Sequence, residues 1–180
     1  MTVPYTNQLI DRVRQDIAHS QARNRMIQSL GARIQVPTSS GIGISTIGGG
    51  GITGGFTDSH GTKLASIRTP WGQNVTVNAS AAGKFAALFK GLGALGYKPK
   101  SVQGYNYRNI AGTNTLSKHA LGLAVDIDPQ PNRGGRLGGG GTRYGYFDPN
   151  SVMKLARSLG LSWGATFSNP DPMHFSIGEG

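Results

Sequence analysis

From Gln8 to Leu30, apolar residues recur at Leu9, Val13, Ile17, Met26 and Leu30, with Arg12, Asp16, Arg23 and Arg25 between them. This spacing predicts an amphipathic helix that stops at Gly31 and either packs on its own domain or docks into a larger assembly. Residues 41–55 are too rich in glycine for a helix and read as a linker. Ile42, Ile44, Ile47 and Ile52 are unusual in a solvated spacer, so part of the segment is expected against a partner or as an irregular edge strand. A boundary is placed here, with residues 1–55 as adaptor and 56–180 as the working domain.

Past the boundary, two short β-prone runs, Ala65–Arg68 and Val75–Val77, flank a turn at Trp71-Gly72-Gln73-Asn74 and read as a hairpin. Phe85, Leu88, Phe89, Leu92 and Leu95 then define one face of a helix capped by Asn78 or Ser80 and ended by Gly96 and Pro99. Ser101–Arg108 alternates as a strand. Gly122–Asp128 does so more informatively, with Leu123, Val125 and Ile127 on one face and Gly122, Ala124, Asp126 and Asp128 on the other. An acid-bearing face whose other members are tiny leaves room above the sheet. Residues 129–143 read as a loop, Asp148-Pro149 opens a second helix that ends at Gly160, Trp163-Gly164 closes a short strand, and Met173–Ile177 forms the last strand with His174 turned away from the core.

Composition changes this picture in two ways. Eighteen Lys and Arg against eight Asp and Glu favour anionic partners such as nucleic acid, membrane surfaces or wall polymers. The charge is spread along the chain and no nucleic-acid-binding signature accompanies it, so nucleic acid is not the expected partner. Cysteine is absent, so any metal must be held by His, Asp or Glu. The first residues reach acids and arginines before any apolar run of signal-peptide length, and no stretch is long enough to span a bilayer. Export is therefore expected by another route.

His119, Asp126 and His174 make an N/O/N ligand set of the kind zinc accepts, although each alone has a structural explanation. The only glutamate is Glu179, near the end of the sequence, so a base beside the metal is expected to be an aspartate, with Asp171 best placed on its Pro-stiffened turn. Asp58-Ser59-His60-Gly61 can be read as a small metal or acid-base group, but turn chemistry explains Asp, Ser and Gly equally well.

Ser117-x-His119-x-x-Gly122-x-Ala124-x-Asp126, the later Trp163-Gly164, and Asp171-Pro-Met-His174-Phe175, together with Tyr107-Arg108, resemble the zinc D-Ala-D-Ala carboxypeptidase and L-alanyl-D-glutamate endopeptidase family of peptidoglycan hydrolases over roughly residues 60–180. The resemblance implies an α+β fold with a small antiparallel sheet carrying the zinc, flanked by helices. It implies Zn2+ on His119, Asp126 and His174, Asp171 as general base, and Arg108 and Ser117 orienting or binding substrate. Many carboxypeptidase members carry Glu at the Asp171 position; Asp there resembles the endopeptidase branch, so cleavage of a wall stem peptide of L-Ala-D-Glu type is favoured. D-Ala-D-Ala carboxypeptidase activity and a non-catalytic wall-binding module are the alternatives. Action in the bacterial wall or periplasm is expected, with delivery by lysis or by a phage virion whose tail component binds residues 1–55.

Overall fold

Residues 51–132 and 143–179 are described by the structure, a computed structural model, and they fall within one contact unit. The helix over 8–30, the isoleucines at 42, 44 and 47, and most of the 129–143 loop lie outside the described residues. Alternating apolar positions produce the first sheet. Leu64, Ala65 and Ile67 of β2 (Lys63–Arg68) and Val75 and Val77 of β3 (Asn74–Asn78) are buried. The two strands pair antiparallel from Leu64↔Asn78 to Arg68↔Asn74 around the turn at 69–73. β1 (Ile52–Thr57) adds a solvent-exposed edge to β2, with a register shift between Thr53 and Gly55. The edge-strand expectation therefore holds at the end of the glycine-rich run, and position 55 lies inside this strand.

The face of α1 (Ala82–Ala94) carrying Phe85, Leu88, Phe89 and Leu92 is buried, and the helix packs on β2 and on α2 (Pro149–Ser158). Its expected cap is corrected. Ala81 occupies the N-cap without a side-chain bond, while Asn78 accepts from the Ser80 N–H and hydroxyl in the preceding turn. α2 starts as its sequence predicts, with Pro149 in the first turn and the Asp148 carboxylate accepting from the Ser151 N–H at 2.9 Å.

The second sheet is antiparallel in the order β4-β5-β7-β6, from β4 (Val102–Gln103), β5 (Ala124–Ile127), β7 (His174–Ser176) and β6 (Ser162–Trp163). Among the described residues there are thus two small sheets rather than one. The strand expected over Ser101–Arg108 stops at Gln103 because the next residues bond elsewhere: Tyr105 N–H donates to Thr76 O of the first sheet at 2.7 Å and Asn106 N–H to His119 O. Asp128 also departs from expectation. It leaves β5 with φ 45°, and its carboxylate accepts from the Lys100 and Ser101 N–H groups and the Tyr146 hydroxyl, so it closes the strand instead of facing the cleft. Among the described residues no helix is long and apolar enough to cross a membrane.

Candidate metal centre and cleft

The position of His119 follows from a cap. Ser117 is extended and buried, and its Oγ accepts the His119 N–H at 3.2 Å, opening a 3-10 turn over Lys118–Leu121. Gly122 ends that turn with φ 65°, and its carbonyl accepts the Asn78 N–H at 2.8 Å. A Cβ at Gly122 would run into the backbone of Asn78, so this turn and β3 can lie together only with glycine here. Seven residues after His119, Asp126 sits on β5 directly opposite His174 on β7. Sheet register therefore sets two of the expected ligands across from one another, and the capped turn brings in the third.

Nε2 of His119 is 3.2 Å and Nδ1 of His174 is 3.0 Å from the same oxygen, Oδ1 of Asp126. Ligand atoms of the three residues all lie within 4.8 Å of one another. Two donors bound about 2.1 Å from one tetrahedral ion would be about 3.4 Å apart, so these separations suit zinc. The donor chemistry agrees. Nδ1 of His119 donates to Gly104 O at 2.8 Å, which leaves Nε2 with its lone pair aimed at a carboxylate oxygen, buried and without a hydrogen bond. Two acceptors face one another there, an arrangement that calls for a cation between them.

The electrostatics are consistent with that demand. Burial pushes the Asp126 carboxyl up, but the adjacent His119 and His174 imidazoles outweigh it and hold the group well below the usual carboxylate range. Burial pulls His174 down, and the Asp126 and Glu179 carboxylates more than reverse this, leaving the imidazole above its ordinary value.

Asp171 is fixed from below. Its N–H donates to Gly164 O at 2.9 Å, its carbonyl accepts the His174 N–H at 3.0 Å, and the Trp163 indole N–H donates to Pro172 O at 2.9 Å. Trp163 itself stacks on Phe175, with Phe147 edge-on to both. Oδ1 of Asp171 is buried without a hydrogen bond. Burial raises the Asp171 pKa, the negative charge of Asp126 raises it further, and His174 and His119 offset this only in part. The Trp163-Gly164 pair thus has a physical reason: a Cβ on Gly164 would collide with the Asp171 carbonyl oxygen and press on the His174 Cβ. Gly164→Ala is expected to lower kcat at least tenfold by shifting Asp171, with a loss of about 1–3 kcal/mol in stability from overpacking. Steady-state kinetics beside a thermal melt check this, and unchanged kcat would remove the positioning argument.

Beside His119 and Asp126 opens a polar cleft of about 420 Å³, also lined by Gln103, Gly104, Tyr105, Asn106 and Arg108. Arg108 is exposed and makes a long 3.5 Å contact to the neighbouring Asn109 carbonyl. Ser117 is absent from this lining and spends its hydroxyl on the turn that carries His119. Asp58 behaves as turn chemistry predicts, accepting from the His60 and Thr62 N–H groups. Sequence reasoning missed its reach across the fold. The Tyr105 hydroxyl donates to the Asp58 carboxylate, a bond that pushes the phenol up to about 12, and His60 stacks on Tyr107 with ring centroids 3.5 Å apart. The β1–β2 turn therefore braces the cleft wall.

Residues 111–177 match a family model described as D-alanyl-D-alanine carboxypeptidase. No curated protein and no solved structure matches the chain. The matched stretch contains the His119, Asp126 and His174 donor set and the Asp171 turn. That match relates residues 111–177 of this chain to the M15 family of peptidases.

Proposed function

We propose that this domain is a zinc-dependent endopeptidase of bacterial peptidoglycan that cuts the stem peptide at an L-Ala-D-Glu type of bond. The observation that carries the reading is the convergence of three buried donor atoms from His119, Asp126 and His174 beside a polar cleft. His119 through Nε2, Asp126 through Oδ1 and His174 through Nδ1 would hold the ion. Zinc, when bound, supplies Lewis-acid polarisation of the scissile carbonyl and lowers the pKa of water towards neutrality. Asp171 accepts the proton of the attacking water and returns it to the leaving amine, a task suited to a carboxyl whose pKa is raised towards the working pH. Ser117 serves the reaction by holding the turn that presents His119.

Arg108 binds a substrate carboxylate at the cleft wall. Arg108→Ala is expected to lower kcat/KM about 10- to 100-fold, the value of a hydrogen bond to a charged group, mostly through KM. Arg108→Lys restores only part of this because the two-pronged contact is gone. Kinetics on stem-peptide fragments decide it, and a change under twofold in Arg108→Ala would exclude the contact.

A second reading, D-Ala-D-Ala carboxypeptidase, is favoured by the description of the matching family model, and there Arg108 would take the terminal carboxylate. Digestion of purified peptidoglycan with zinc-loaded protein, followed by mass spectrometry, separates the two. New amino termini on D-Glu support the endopeptidase, release of D-Ala supports the carboxypeptidase, and no cleavage in the zinc-loaded sample overturns both.

A further inference from the structure

The two histidines of the centre present opposite nitrogens. His119 turns Nε2 inward because Nδ1–H is spent on a backbone carbonyl, Gly104 O. His174 turns Nδ1 inward, and its outer nitrogen, Nε2, lies 2.9 Å from Oε2 of Glu179. A neutral imidazole has one N–H and one lone pair, so an acceptor on one nitrogen fixes the lone pair on the other. We propose that Glu179 is a positioning residue for metal binding: it takes the Nε2–H of His174, commits Nδ1 to the ion, and makes that ring the more strongly donating of the two because its outer partner is a carboxylate and not a peptide carbonyl. The inference rests on the metal reading of the site given above.

Glu179 is held for this task. Its backbone carbonyl accepts from the Ser162 hydroxyl on β6, the strand paired with β7, which ties the end of the described chain to the sheet that carries His174. Its side chain is half-buried against His174. On the far side of the imidazole from the inward nitrogen, Glu179 is out of place as the base for the reaction, so it does not compete with Asp171. It also falls beyond the 111–177 stretch that matches the family model.

The test uses the full chain and two readouts that do not depend on catalysis. Zinc affinity is measured by chelator competition for wild type, Glu179→Ala and Glu179→Gln, with a thermal melt of each metal-free protein as the folding control. Loss of the partner is expected to weaken zinc about 10- to 100-fold in Glu179→Ala. Glu179→Gln recovers most of that, since an amide oxygen still accepts from Nε2–H. In parallel, NMR of the zinc-loaded wild type, with ¹⁵N-labelled histidine, is expected to show His174 carrying a solvent-protected proton on Nε2, and that protection is lost in Glu179→Ala. A wild-type spectrum with the proton on Nδ1, or Glu179→Ala binding zinc as tightly as wild type, overturns the proposal alone. Failure of the wild type to bind zinc overturns the metal reading and this inference with it.

Discussion

Asp171→Asn is expected to cost about 10²- to 10⁴-fold in kcat, the usual contribution of a positioned general base, while making the metal-free fold more resistant to heat at neutral pH. The two effects come from one cause. Burial and then the nearby Asp126 charge raise the Asp171 pKa, His174 and His119 compensate incompletely, and its Oδ1 has no hydrogen bond. A group whose pKa is higher folded than unfolded contributes stability that is fully present below the unfolded value and is lost as pH rises through the folded one. At pH 7 the ionised Asp171 is therefore a cost that the isosteric amide removes. Calorimetry in chelator should show Asp171→Asn melting above wild type at pH 7, with the difference shrinking as pH falls through the Asp171 pKa. A variant that melted below wild type at pH 7, with activity falling in step with its folded fraction, would make Asp171 a structural residue.

Much of this site was legible because its chemistry is local or periodic. His119 and Asp126 sit seven residues apart on a short capped turn and the strand after it, and the alternation around Phe175 already turned His174 out of the core. Asp148-Pro149 starts its helix as written. What sequence left hidden depends on approaches between distant segments. The strand at 101–108 breaks at Gln103 because Tyr105 and Asn106 satisfy their N–H groups on Thr76 and His119, partners that no periodicity announces. Asp128 belongs to the acid-bearing face by alternation alone, yet its left-handed backbone removes it from that face. Ser117, which the resemblance gives as orienting or binding substrate, also caps the turn that carries His119, and the Ser-x-His spacing is itself a capping signal. Glu179, five residues after His174, meets its outer nitrogen through a turn of the chain that no alternation predicts.

Asp126→Ala is expected to be inactive like Asp171→Asn but to move stability the other way. In the metal-free protein, Oδ1 of Asp126 is the shared partner of both histidines, with its side chain only 8 % exposed. Its contacts with the two imidazoles hold the folded-state pKa far below the unfolded value despite burial, so its contribution is present above the ordinary carboxylate range and is lost only in strong acid. Removing one member of such a buried set costs about 3–5 kcal/mol. Zinc adds a second difference. An ion that binds only the folded chain stabilises it by about 4.1 kcal/mol at a free concentration 1,000 times Kd, and each kcal/mol moves the melting temperature by about 2–4 °C in a chain of this size. Wild type should therefore lose its activity and that increment together in chelator and regain both with zinc, whereas Asp126→Ala should start lower and gain neither. Two aspartates near one site, both needed for turnover, are separated by the sign of their effect on the melt: Asp126 is ionised because the fold demands a negative charge between two imidazoles, and Asp171 is ionised in spite of the fold, which leaves it free to take up a proton. An equal rise in melting temperature on adding zinc to wild type and to Asp126→Ala would remove Asp126 from the ligand set.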